Sequence, residues 1–171
     1  MESRKIQVSV VGDYGAGQNE YNFAYELGKL LASKNLIVLT GGKGGVMEAV
    51  GKGVIEKGGT VVGILPSAFT GESNEYCTIR IATGLGHGRN AIIASSADIV
   101  IAIGGKAGTL TEIGFSWVFD KPIIAVRGFG GWSDQLAGTV IDDRNVQPIF
   151  AVSTIQELEK ILDILLEKIQ R

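Results

Sequence analysis

One short stretch of the chain, and one arginine outside it, carry the groups that could do chemistry. Gly104, Gly105 and Gly108, with Lys106 and Ala107 between them and Thr109 behind, form a loop whose glycines let the backbone turn tightly and approach a ligand. The apolar positions that follow, Leu110, Ile113, Phe115 and Trp117, recur at helical spacing, so Thr109 is predicted to open a helix. Backbone N–H groups at such a start, with the positive end of the helix dipole behind them, favour an anion, most often a phosphate. Glu112 follows one turn in, within reach of whatever group carries that anion. Arg89 is the second anomaly: it opens another expected helix, where a cation opposes the dipole, and residues that break a local rule tend to mark sites. Each feature also has a plain structural reading: a tight turn for the glycines, a favoured first-turn position for the glutamate, and a surface ion pair for the arginine.

The elements that must position these groups follow from the apolar runs. Ile99 to Ile103 is β-branched, too short for a buried helix, and is expected as a fully buried parallel strand ending at Gly104. Ile6 to Val11 is the first strand, and the loop Gly12 to Gly17 after it is long enough to line a pocket. With Asn19 as the expected N-cap, Phe23, Leu27, Leu30 and Leu31 make the buried stripe of the first helix. Leu36 to Leu39 is the second strand, followed by Gly41, Gly42, Lys43, Gly44 and Gly45 and a helix through Val46, Met47, Val50 and Val54. This turn echoes the central one in its order of glycines, lysine, glycine and helix-opening glutamate. Both read as anion-friendly turns, with close helix–strand packing the alternative for the first. Lys43 and Lys106 are phosphate contacts or merely solvated.

Thr60 to Leu65 is a third strand, Ser67 to Tyr76 a polar surface loop suited to a lid, and Cys77 to Ala82 a short strand. Gly84 to Asn90 leads into a helix ending near Ser96, and Pro122 to Val126 and Ile149 to Val152 are further buried strands. Thr154 and Glu157 are expected to form a capping box for a closing helix whose Leu158, Ile161, Leu162, Leu165 and Ile169 share a face. Strands alternating with helices predict an α/β fold: a single doubly wound parallel sheet, Rossmann-like, with helices on both faces. Its ligands belong outside the carboxyl ends of the strands, near the switch in strand order.

The totals narrow the function classes. A length of 171 residues with 45% hydrophobic and 20% charged residues suits one domain, residues 1–171, with a full core. A net charge of −2 leaves no electrostatic footprint for nucleic acid, and no apolar window is long enough to span a membrane. No signal-type apolar segment follows the first residues, so a cytoplasmic protein is expected. One cysteine and one histidine exclude an internal disulfide and a Cys/His metal cluster, and no metal site is expected. Neither glycine loop fits the P-loop pattern, and Thr40 stands where a ribose-binding carboxylate would end the second strand of an NAD fold.

Three motifs together, GGKGGVMEAVGKGVIEKGGTVVGILP from Gly41, GHGRN from Gly86 and GGKAGTLTE from Gly104, resemble the Lonely Guy family of nucleoside-monophosphate phosphoribohydrolases, long mislabelled as lysine decarboxylases. The likeness is greatest to the bacterial and archaeal branch that includes molybdenum cofactor carrier proteins. The resemblance implies that Glu112 is the catalytic glutamate and Arg89 the catalytic arginine, with the family's separation of 23 positions, and that His87 is the histidine common two places before it. It implies that Gly104, Gly105, Lys106, Ala107, Gly108 and Thr109 hold a ribose 5′-phosphate. Gly12, Asp13, Tyr14, Gly42, Lys43, Gly44, Gly45 and His87 would wall the rest of the ligand pocket. Gly104 stands where the family has proline, and Asn90 where it has lysine, departures more like the carrier branch. The implied activity requires no cofactor, and its partner is a small phosphorylated ligand, a nucleoside monophosphate or a pterin phosphate. In the alternative, a non-catalytic carrier, that ligand is a molybdenum cofactor or a nucleotide. A homodimer or homotetramer is implied, with neither nucleic acid nor membrane as partner.

Overall fold

Apolar runs too short to bury themselves as helices must pair as strands, and all seven do so in parallel. In the computed structural model, which describes residues 4–170, they are β1 (Gln7–Gly12), β2 (Ile37–Thr40), β3 (Thr60–Leu65), β4 (Ile79–Ala82), β5 (Ile99–Ile103), β6 (Ile123–Val126) and β7 (Phe150–Val152). They form one sheet in the order β4-β3-β2-β1-β5-β6-β7, so the direction of winding reverses between β1 and β5. The register there pairs Gly12 with Ile103, which brings the loops leaving both strands to one crevice at the carboxyl edge.

Among the described residues six α-helices cover the sheet: α1 (Gln18–Ser33), α2 (Val46–Glu56), α3 (Arg89–Ser96), α4 (Ala107–Val118), α5 (Gly131–Leu136) and α6 (Ile155–Ile169). On one face Leu27 and Leu31 of α1, Val50 and Val54 of α2, and Leu158, Leu162 and Leu165 of α6 close over Val8, Val10 and Ile101. On the other, Ile93 of α3 and Ile113 and Trp117 of α4 close over Val11, Val100 and Ala102. Burying each large side chain contributes about 1.5–3 kcal/mol against the entropy of ordering the chain. Gly28 of α1 and Gly53 of α2 allow those helices to touch backbone to backbone: a Cβ on either would fall 2.1 Å from Val50 O or 2.0 Å from Tyr25 O.

Several boundaries differ from the sequence expectation for identifiable reasons. Helix α1 is capped by extended Gly17, not Asn19: Tyr21 N–H donates to Gly17 O, which starts the helix two residues earlier than expected. Helix α4 starts at Ala107, two residues before Thr109, with extended Lys106 as N-cap. Its inward face carries Ser116 in place of Phe115, since the Ser116 hydroxyl satisfies itself on Glu112 O. Cys77 is buried but precedes β4, in a turn that lets Thr78 bond both ways with Val61. At α6, Thr154 Oγ1 accepts from Glu157 N–H as expected, while the Glu157 carboxylate accepts from Ser153 N–H. Among the described residues, no helix is long and apolar enough to cross a membrane.

Candidate functional site

The crevice between β1 and β5 opens into a cavity of about 500 Å³, within the range of small-molecule sites. Its floor is the apolar end of β1, Val10 and Val11, with Met47 and Pro66 on the side of β2 and β3. Four sequence segments meet around it: the β1–α1 loop, the β2–α2 loop, the start of α3 and the start of α4.

Of the residues singled out from the sequence, Gly12, Asp13, Tyr14, Lys43, His87, Arg89, Lys106, Gly108, Thr109 and Glu112 reach the cavity wall. Gly42, Gly44, Gly45, Gly104, Gly105 and Ala107 do not; the first five shape the loops from behind. A Cβ on Gly45 would lie 2.2 Å from Asp13 O, and one on Gly42 2.6 Å from Leu65 Cδ2. The first N–H of α2, from Val46, already donates to Asp13 O. That turn is therefore built for close packing between neighbouring loops, and the first amide of its helix is occupied by protein. The polar loop of residues 67–76 is folded down against it: Glu72 pairs with Lys43 at 2.7 Å, and Asn74 donates from its side chain to Lys43 O and from its backbone to Gly42 O.

The α4 turn is different. Gly104 N–H donates to Ser133 Oγ, so this amide is unavailable to a ligand. Trp132 and Ser133 N–H donate to Gly105 O and Gly104 O. Those bonds fix Gly104 and Gly105 at positive φ, +57° and +94°, where other residues are strained. Beyond them no side chain caps α4, whose first intrahelical bond is Leu110 N–H to Lys106 O. The N–H groups of Ala107, Gly108 and Thr109 thus sit at an uncapped helix start beside the cavity, with Thr109 buried. Lys106 reaches over the mouth to Asp13 at 3.5 Å.

Glu112 lies one turn along α4, facing inward, and Arg89 comes from the first turn of α3. Both are buried, at 7% and 9% exposure, and Arg89 Nη1 stands 3.5 Å from Glu112 Oε1. Burial pushes the Glu112 carboxyl up to about 7, and the guanidinium opposes that rise. Arg89 is also held by Asn90 Oδ1 and, at 3.4 Å, by Gly41 O; its Nε has no protein partner. A Cβ on Gly41 would lie 2.6 Å from Nη2, so the arginine rests on a bare glycine backbone.

Sequence reasoning named Gly41 only as part of its glycine turn, and overlooked Ser133 and Glu20. Glu20 is buried beside Gly104, its Oε1 without a hydrogen-bond partner and its carboxyl raised first by burial and then by Asp13. The one available signal for Glu20 was its place in a first helical turn, which an acidic residue commonly takes without any role in a site. Ser133 gave none.

This geometry can be set beside known proteins. The model of the SLOG cluster4 family matches residues 5–159. The chain belongs to the SLOG cluster4 family. It is similar to an uncharacterized protein of Archaeoglobus fulgidus, 41% identical over 71% of this chain and 80% of that one. It is also similar to the cytokinin riboside 5′-monophosphate phosphoribohydrolase LOG5 of Arabidopsis thaliana, 31% identical over 86% of this chain and 71% of that one. Among solved structures, the molybdenum cofactor binding protein from Rippkaea orientalis superposes with a TM-score of 0.85 at 31% identity, covering 95% of this chain and 98% of that one. The fold of this SLOG cluster4 protein is thus the expected parallel α/β sheet, and the resemblance read from its three motifs holds at the level of the family.

Proposed function

We propose that the chain is a nucleoside 5′-monophosphate phosphoribohydrolase, cleaving the N-glycosidic bond to release free base and ribose 5-phosphate. The observation that carries this reading is the buried Arg89–Glu112 pair in the wall of a cavity that also receives the uncapped start of α4. The phosphate sits on the N–H groups of Ala107, Gly108 and Thr109 and the Thr109 hydroxyl, with Lys106 near its outer side. As the bond from C1′ to the base nitrogen breaks, its electron pair leaves with the base, which takes up a proton from solvent, and the ribose becomes oxocarbenium-like. A carboxylate beside C1′ stabilises that charge and takes a proton from the attacking water, and Glu112 has this role. Arg89 favours the ionised form of Glu112 and orients it. Tyr14, exposed and packed against Gly44, faces the base, with Asp13 and His87 on the same wall. The proposed reaction uses these protein groups and water and calls for no metal or cofactor. Phe115 of α4 and Phe119 just past its end, stacked and part-exposed beside exposed Val118, support a homo-oligomer.

The likeness to the molybdenum cofactor binding protein favours a second reading, a carrier that holds a phosphorylated pterin or nucleotide in the same cradle without turnover. Incubation with AMP and other nucleoside monophosphates, following ribose 5-phosphate and free base by chromatography, separates the two. Release that disappears in Glu112→Ala supports the hydrolase. No release from any monophosphate, with a thermal shift still produced by phosphorylated ligands, overturns it in favour of the carrier.

A further inference from the structure

Asn90 is almost fully buried, at 1% exposure, and each polar atom of its side chain is engaged. Its Oδ1 accepts from Arg89 Nη1, and its Nδ2 donates to Thr111 Oγ1 at 2.9 Å and to Gly108 O at 3.4 Å. The Thr111 hydroxyl proton is itself committed to Gly108 O at 2.7 Å, so Thr111 can only accept from the amide. The orientation of the Asn90 amide is therefore dictated: turned over, it would place two donors against a guanidinium and an acceptor against the Gly108 carbonyl. One short side chain thus links the first turn of α3 to the first turn of α4.

Arg89 needs such a restraint. It is buried, opposed by the dipole of its own helix, and closest in charge to Glu112, yet it meets that carboxylate through one nitrogen at 3.5 Å and not as a two-bond fork. An unrestrained guanidinium beside a buried carboxylate would close to a shorter, bidentate pair. What stands against closure is competition for the same nitrogen: Asn90 Oδ1 accepts from the Nη1 that faces Glu112, while Gly41 O accepts from Nη2 at 3.4 Å. We propose that Asn90 is the positioning residue of this site: its side-chain amide, anchored on the first turn of α4, draws the Arg89 guanidinium aside and keeps it from closing on Glu112. The inference builds on the reading above only in taking Arg89 and Glu112 as the reacting pair; the contacts that carry it stand apart from any turnover.

Held off in this way, Glu112 keeps its proton to a higher pH than a closed pair would allow. The other charged groups of the wall are engaged elsewhere: Asp13 from the β1–α1 loop with Lys106 of the α4 turn, and Lys43 of the β2–α2 loop with Glu72. His87, preceding α3, is exposed. Arg89 is the charged group that acts on the Glu112 carboxyl, so its distance sets the proton affinity.

The test is the titration of Glu112 in the intact protein, followed by carbon NMR of labelled glutamate carboxyls and assigned by the signal lost in Glu112→Gln. Asn90→Leu keeps the volume and removes the acceptor. The expected result is a Glu112 midpoint lowered by about one pH unit, a tenfold loss of proton affinity, because Arg89 closes on the carboxylate. A merely structural role predicts the opposite sign, since an apolar neighbour deepens burial and raises the midpoint; an unchanged or raised midpoint overturns the proposal. Asn90→Asp, which retains an acceptor for Arg89 and serves should the leucine variant not fold, is expected at or above the wild-type midpoint, and a lower one also overturns it. These titrations need no substrate. A protein that hydrolyses no monophosphate but shows the shift would refute the hydrolase and keep the role of Asn90.

Discussion

The substitution Glu112→Gln tests the energetic cost of burying this carboxylate independently of any ligand. The folded protein holds the Glu112 proton up to about pH 7, against 4.5 for an ordinary glutamate. Between those values the folded state keeps a proton that the unfolded chain has released. Stability therefore falls as pH rises through that window, and is fully present only below the unfolded value. A rise from 4.5 to about 7 corresponds to about 3 kcal/mol, a large share of the stability of a protein of this size. Glutamine has the same shape and no proton to lose, so its stability lacks this slope. Arg89 remains charged across the whole range, so the loss of its partner's charge in the variant appears as an offset at every pH. The assay is urea unfolding of both proteins at intervals from pH 4.5 to 8.5, read as the difference between them. Other titrating groups, Glu20 and Asp98 among them, are common to both and cancel. The variant should gain about 3 kcal/mol relative to the wild type across the interval, with most of the change between pH 5 and 7.5. Parallel stability curves would refute the argument that burial outweighs the Arg89 charge at this carboxyl.

Two further substitutions test how the site is supported. Gly41→Ala places a methyl 2.6 Å from Arg89 Nη2 and 2.8 Å from Met47 Sδ, both flexible ends that can yield, so stability should drop by only about 1–3 kcal/mol while the proposed release of base from a nucleoside monophosphate falls at least tenfold. Unaltered turnover at equal protein concentration would show that Arg89 does not need its seat. Ser133→Ala removes both the acceptor of Gly104 N–H and the donor to Val126 O, leaving buried groups unpaired at about 1–3 kcal/mol. Calorimetric titration with a phosphorylated ligand should then show weaker binding, and unchanged affinity would separate the Gly104 turn from the phosphate cradle.

The sheet was legible because its strands are bounded by chemistry that acts locally. Ile99–Ile103 is β-branched and ends at glycine, and Thr60–Leu65 ends at proline, so both ends of each were visible. Arg89 and Glu112 were legible for another reason: each is a polar residue where local rules make it awkward or noticeable. What could not be read were the contacts made across the sheet. Gly41 matters for lacking a Cβ beneath an arginine 48 positions away, a condition that exists only once α3 has folded over β2. Ser133 looks like any polar residue of a short helix until its hydroxyl meets Gly104 N–H. The two similar glycine turns were told apart only by their neighbours. Asp13 O occupies the amide that opens α2, while α4 begins with none of its first amides capped by a side chain.

The pairing of Gly12 with Ile103 gives the cavity an unusual place in the assembly of the chain. It joins the two halves of the sheet, the one built from β1 to β4 and the one built from β5 to β7, and the groups of the cavity come from both sides of that seam. Neither half alone presents the whole cavity wall, so a ligand bound there as proposed would act as a clasp that favours the joined sheet. At a concentration one hundred times its dissociation constant, such a clasp adds about 2.7 kcal/mol to the closure. Binding at this seam and the stability of the joined sheet would thereby be linked, each favouring the other.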